Sequence, residues 1–113
     1  MDSILNSIKK LNGIDAADKS FDVDIIIHIN SAFMKLNQLG VGPSDGYFIE
    51  DAITTWDEYE PNRLIAESIK TFVYIKVRLI FDPPTSSVLL TALQSTMAEE
   101  EWRIMQWVEQ HTV

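Results

Sequence analysis

Apolar residues recur at helical spacing in four stretches of the chain. In the first, Ile4, Leu5, Ile8 and Leu11 share one face of a short helix over about residues 3–12, and Gly13 is placed to end it. The polar connection GIDAADKSF leads to a second helix over 22–39, with Ile25, Ile29, Phe33, Leu36 and Leu39 as its core stripe. Asp24, His28, Ser31, Lys35 and Gln38 fall on the opposite side, so this helix reads as amphipathic with one wet face. Asp22 is expected to cap its first turn, and Phe21 with Ile26 has the spacing of a hydrophobic staple. Gly40, Gly42 and Pro43 stop it, because glycine takes the left-handed cap conformation cheaply and proline cannot continue a helix.

A third helix is expected over 62–81, with Ile65, Ile69, Phe72, Val73, Val77 and Ile80 on one face and Glu67, Lys70, Tyr74 and Arg78 on the other. A fourth, over 86–110, carries Leu89, Leu90, Leu93, Met97, Ile104 and Val108 as its stripe. Each stripe holds a charge: Lys76 falls near the centre of one and Glu100 inside the other, while Trp102 falls outside. Asp82, Pro83 and Pro84 separate the two helices as a structural turn. Pro83 forces Asp82 out of the helical region, so the third helix must stop by about Phe81, and Thr85 or Ser86 can cap the next. Two long helices are thereby folded into a stiff antiparallel hairpin. Across it Lys76 and Glu100 differ in depth by about 12 Å at 1.5 Å per residue, too far for a direct pair.

The segment 40–61 is the least regular. Weak alternation at Tyr47–Glu50 and Ile53–Trp56 allows two short strands, so the region is an irregular loop or a small β-hairpin. Its aromatics (Tyr47, Phe48, Trp56, Tyr59) and acids (Glu50, Asp51, Asp57, Glu58, Glu60) are unusual for a spacer, and such a loop either has a task or packs on the core. The expected fold is mainly α: one four-helix domain, 1–113.

Composition narrows the function classes. The 113 residues are 46% hydrophobic, enough for one compact core, and show no internal repeat. No apolar run approaches the roughly 18–20 residues of a membrane span, and the N-terminus lacks the features of a secretory signal. A soluble protein that stays inside the cell making it is expected. With no cysteine, disulfide and thiolate chemistry are excluded. A net charge of −8, from 17 acidic and 9 basic side chains, disfavours autonomous nucleic-acid binding, which gains affinity by neutralising phosphates.

No catalytic, cofactor or metal constellation emerges. His28 and His111 read as solvated, without acids or a second histidine at ligand spacing. Asp22 and Asp24 read through capping and the helix dipole rather than as paired carboxylates. GVGP lacks the lysine and spacing of a phosphate loop. Glu99, Glu100 and Glu101 form a solvated turn, apart from the inward placement of Glu100. Lys76 either snorkels to water along its stem or meets an acid of a neighbouring subunit. Trp56, Trp102 and Tyr47 with its loop are candidate protein contacts, since aromatic residues anchor interfaces.

The run YIKVRLIFDPPTSS (Tyr74 to Ser87), preceded by VGPSDGYFIEDAITTW (Val41 to Trp56) and followed by EEWR (Glu100 to Arg103), resembles the small head-tail connector proteins of tailed bacteriophages and prophages. The resemblance spans nearly the whole chain, and helix-Asp-Pro-Pro-helix is its most specific part. It implies a small, mainly helical, non-enzymatic virion protein at the head-tail junction, assembled in the bacterial host cytoplasm. Such an adaptor forms a homo-oligomeric ring beneath the portal protein, completes the head after DNA packaging and offers a surface to further connector or tail proteins. No cofactor is implied, and DNA would only pass through an acidic channel. The alternative is a phage-encoded DNA-packaging or regulatory protein of helical fold, which would need a basic recognition helix. An enzyme would need Asp22, Asp24 and His28 around one cleft.

Overall fold

The computed structural model describes residues 3–60 and 62–111. The expected span 1–113 extends beyond them at both ends, and Pro61 of the expected loop lies outside them. Five helices follow one another: α1 (Ile4–Leu11), α2 (Asp22–Leu39), α3 (Trp56–Tyr59), α4 (Arg63–Phe81) and α5 (Ser87–His111). The four longer ones are the four helices read from the pattern.

Local chemistry sets most of their ends. The Ser3 hydroxyl accepts from the Asn6 N–H at 3.2 Å and starts α1. Gly40 ends α2 in the left-handed conformation, φ 96°. Asn62 starts α4 by accepting from the Leu64 N–H, and Ser86 starts α5 by accepting from the Leu89 N–H. Asp82, ahead of the two prolines, leaves the helical region at φ −145° and ψ 68°, which terminates α4.

Helix α4 is the hub and packs against all four others. Phe21, just before α2, lies edge-on against Phe81 at the end of α4 with centroids 5.4 Å apart, so these helices run antiparallel. Helix α5 also runs back along α4 from the proline turn. Helices α2 and α5 are therefore parallel, and they approach at their C-terminal ends, where Lys35 pairs with Glu101 at 3.6 Å. The molecule is flattened, 43 × 34 × 21 Å. Its core joins Ile4, Leu5 and Ile8 of α1 to Ile25, Ile29, Phe33 and Leu36 of α2, Ile65, Ile69, Phe72, Val73 and Val77 of α4, and Ile104 of α5.

Several expectations are corrected. No β-hairpin forms among the described residues; the sole pairing in this region is an isolated bridge between Ser3 and Thr55. The Tyr47–Glu50 stretch finds its hydrogen bonds on a side chain of α2, and Trp56 opens a helical turn. At its start the Thr55 N–H donates to Glu58 Oε2 at 3.3 Å and the Thr55 hydroxyl donates to Asp57, which holds the Asp57 carboxyl below its usual range. Asp22 does not cap α2. Phe21 occupies the cap position without a side-chain bond, and the Asp22 carboxylate turns to Lys9.

Lys9 is the largest departure from the pattern. Leu11, read as core, is exposed, whereas Lys9 is 0% exposed. The Lys9 ammonium donates to the carbonyls of Asp18 at 2.6 Å and Ala16 at 3.2 Å, and it lies 2.7 Å from Asp22 Oδ1. A buried charge persists only when paired and hydrogen-bonded, and the polar connection 13–21 wraps the ammonium to provide that.

Candidate functional site

The surface, rather than a cleft, carries the distinctive chemistry. Helix α2 buries Ile25, Ile29, Ala32, Phe33 and Leu36, yet Val23, Ile27 and Met34 stand exposed. At 100° per residue these three lie roughly opposite the core stripe, so α2 is apolar on two faces. The reading of one wet face holds only for the sector carrying Asp24, His28, Ser31, Lys35 and Gln38. The spacing i, i+4, i+11 outside the core arc was the available signal for this second stripe.

Helix α5 presents a second apolar surface. Glu100 and Ile104 are its buried residues, while Trp102 is 61% exposed with Met105 beside it one turn on. Glu100 faces inward at 7% exposure and is neutralised by Arg103, which also pairs with Glu99. The expected placement of Glu100 inside and Trp102 outside the core stripe is what the helix shows. Towards the proline turn Val88 is exposed as well, and so are Leu89 of α5 and Ile80 of α4, both of which the apolar pattern assigns to the core stripes. Lys76, on the same face of α4 as Ile80, is half-buried.

The other expected contact residues lie differently. Trp56 is 6% exposed and its indole N–H donates to the Ser7 hydroxyl at 2.7 Å. Tyr47 packs against Phe33, with centroids 5.4 Å apart, and against Tyr59 at 4.9 Å. The aromatic richness of the central segment is thus largely an internal cluster around Phe33. The loop is fixed to α2 at Ile49, and Asn37 Nδ2 donates to the Pro43 carbonyl at 3.1 Å. Phe48 and Ile53 are the large apolar side chains that this anchored loop leaves exposed.

The groups considered for catalysis do not converge. Asp22 is committed to Lys9, Asp24 is exposed, and among the described residues no group of three or more His, Asp or Glu side chains is placed to hold a metal ion. No helix among them is long and apolar enough to cross a membrane. The turn Asp82-Pro83-Pro84 is stiffened from α4, where Arg78 donates to the Tyr74 hydroxyl at 3.1 Å and to the Asp82 carbonyl at 3.4 Å.

Comparison with curated proteins and with solved structures gives no match. The family model described as "Phage connector protein" matches residues 4–111, from the first turn of α1 to the last residue of α5. With the helical hairpin, the central loop and both apolar stripes inside that match, the chain belongs to the phage connector protein family.

Proposed function

We propose that this protein is a head-completion adaptor that forms a homo-oligomeric ring at the capsid vertex of a tailed phage or prophage, between the portal protein and a downstream connector or tail protein. It acts after DNA packaging, assembles in the host cytoplasm, resides at the head-tail junction of the virion, and performs no catalysis. Its negative charge lets DNA pass along an acidic channel without being gripped.

The observation that carries this reading is the pair of unlike apolar stripes, Val23-Ile27-Met34 on α2 and Trp102-Met105 on α5. A ring is heterologous: one surface of each subunit meets a different surface of the next, so two distinct patches are required. Trp102 serves as the anchor of one contact. Phe48 and Ile53, on the loop shaped by Tyr47 and Trp56, extend the other. Lys76 meets an acid of the neighbouring subunit, and Lys76→Met weakens assembly.

Charge placed on either stripe tests the arrangement. Ile27→Glu and Trp102→Glu each block ring formation alone, and mixing them restores one good contact, giving heterodimers. Two variants that stay monomeric on mixing exclude the heterologous pairing of these stripes.

A further inference from the structure

Helices α2 and α5 end side by side at a cavity of about 300 Å³ whose lining includes Gly40, Gly42, Tyr59, Glu60, Trp107 and His111. The close approach there depends on glycine: a Cβ at Gly40 would lie 3.1 Å from Val108 Cγ1, and one at Gly42 would lie 2.7 Å from the Tyr59 ring. Trp107 and His111 stack with centroids 4.4 Å apart and form an aromatic wall.

The cavity is electrostatically negative. Two long helices point their carbonyl ends at it, each equivalent to about half a negative charge. Glu60 adds a carboxylate whose Oε2 already accepts from the Asn62 N–H at 3.1 Å, leaving Oε1 for a further donor, and the described lining contains no lysine or arginine. Tyr59 is 4% exposed, yet its hydroxyl has no hydrogen-bond partner among the described residues. Burial, reinforced by the Glu60 charge, pushes the phenol well above its ordinary range and keeps it protonated. A buried, unpaired hydroxyl costs stability until something pairs with it.

We propose that this cavity receives an arginine side chain presented by another protein of the particle, its guanidinium set against the Trp107–His111 wall and donating to the Glu60 carboxylate and the Tyr59 hydroxyl oxygen. The assignment of the partner rests on the connector reading. Arginine fits better than lysine because two acceptors set apart beside an aromatic face match a flat fork of donors rather than a point charge. The cavity lies at the small end of the range for ligand sites, sized for one side chain. A net charge of −8 favours a basic partner surface over a second copy of this acidic chain.

The test is a nitrogen-labelled NMR titration that follows the Trp107 indole N–H while the peptide acetyl-Gly-Arg-Gly-amide is added, with lysine and citrulline in place of arginine as comparisons. The expected result is a saturable shift of Trp107 with Trp102 unmoved, a weaker response to lysine and none to citrulline. Glu60→Gln weakens the arginine peptide by at least about tenfold, as loss of a charge-assisted contact requires. Tyr59→Phe also weakens it while raising the thermal midpoint of the free chain, which a merely damaged fold would not do. No shift at millimolar peptide, or an equal response to citrulline, overturns the proposal. Displacement of the peptide by submillimolar spermidine also overturns it, by identifying a soluble polyamine as the occupant. Assembly is scored separately by solution mass. A chain that forms rings but ignores the peptide sinks the cavity assignment alone, whereas a strict monomer that binds the peptide sinks the connector reading alone.

Discussion

The Asn30 side-chain amide takes the place of a neighbouring β-strand for Ile49: the Ile49 N–H donates to Asn30 Oδ1 at 2.8 Å, and Asn30 Nδ2 donates back to the Ile49 carbonyl at 3.1 Å. Through this pair α2 pins the central loop, buries Ile49, and leaves Phe48 facing solvent. Asn30→Ala strands both backbone groups in a half-buried setting and should cost about 1–3 kcal/mol. Urea unfolding measures the loss. Amide exchange should accelerate around residues 47–51 more than in α4, and uniform acceleration would show that Asn30 does not hold the loop specifically.

Lys9 secures the α1–α2 connection by a different means, a buried ammonium among three oxygens. Lys9→Met preserves the stem but leaves the Ala16 and Asp18 carbonyls and the Asp22 carboxylate without their donor. Removing one partner of such a buried pair costs about 3 kcal/mol or more. Asp22→Asn, which keeps an oxygen in place, should cost markedly less by the same unfolding measurement. A Lys9→Met chain as stable as the parent would contradict the cage.

Alkaline stability tests the setting of Tyr59. Burial, then the charge of Glu60, raises its pKa above the reference value of 10.0. The folded chain therefore holds this proton more tightly than the unfolded chain. That contribution is fully present below the unfolded value and is lost as pH rises through about 10 and beyond. Tyr47 is raised as well, by burial and then by Glu58, and adds to the same slope. Tyr59→Phe should be the more resistant chain above pH 10, with a shallower fall of the unfolding midpoint. Parallel curves for parent and variant would mean that Tyr59 ionises equally in both states.

Periodicity made the four longer helices legible because each buries a continuous stripe, and Gly40 and the two prolines marked their ends through backbone geometry alone. The inward Glu100 and outward Trp102 were legible for the same reason. The central segment was not. Its alternation at Tyr47–Glu50 is that of a strand, but the partner for Ile49 is a side chain nineteen positions earlier. Lys9 was hidden because a lysine on a short helix reads as solvated, two of its three oxygen partners are carbonyls that carry no sequence signature, and the third, on Asp22, reads as a helix cap. The apolar stripe of Val23, Ile27 and Met34 was masked by a stronger one on the same helix. Trp56 shows the reverse: residue type pointed to an interface, whereas the Ser7 hydroxyl and the cluster around Phe33 place it inside.

The central claim, that this chain is a ring-forming connector beneath the portal, is tested most directly by solution mass from light scattering, alone and mixed with the portal protein of the same phage. The account predicts a defined multiple of the 12.9 kDa subunit, alone or on the portal, which Trp102→Glu abolishes. A chain that stays monomeric at every concentration and never comigrates with the portal would contradict it.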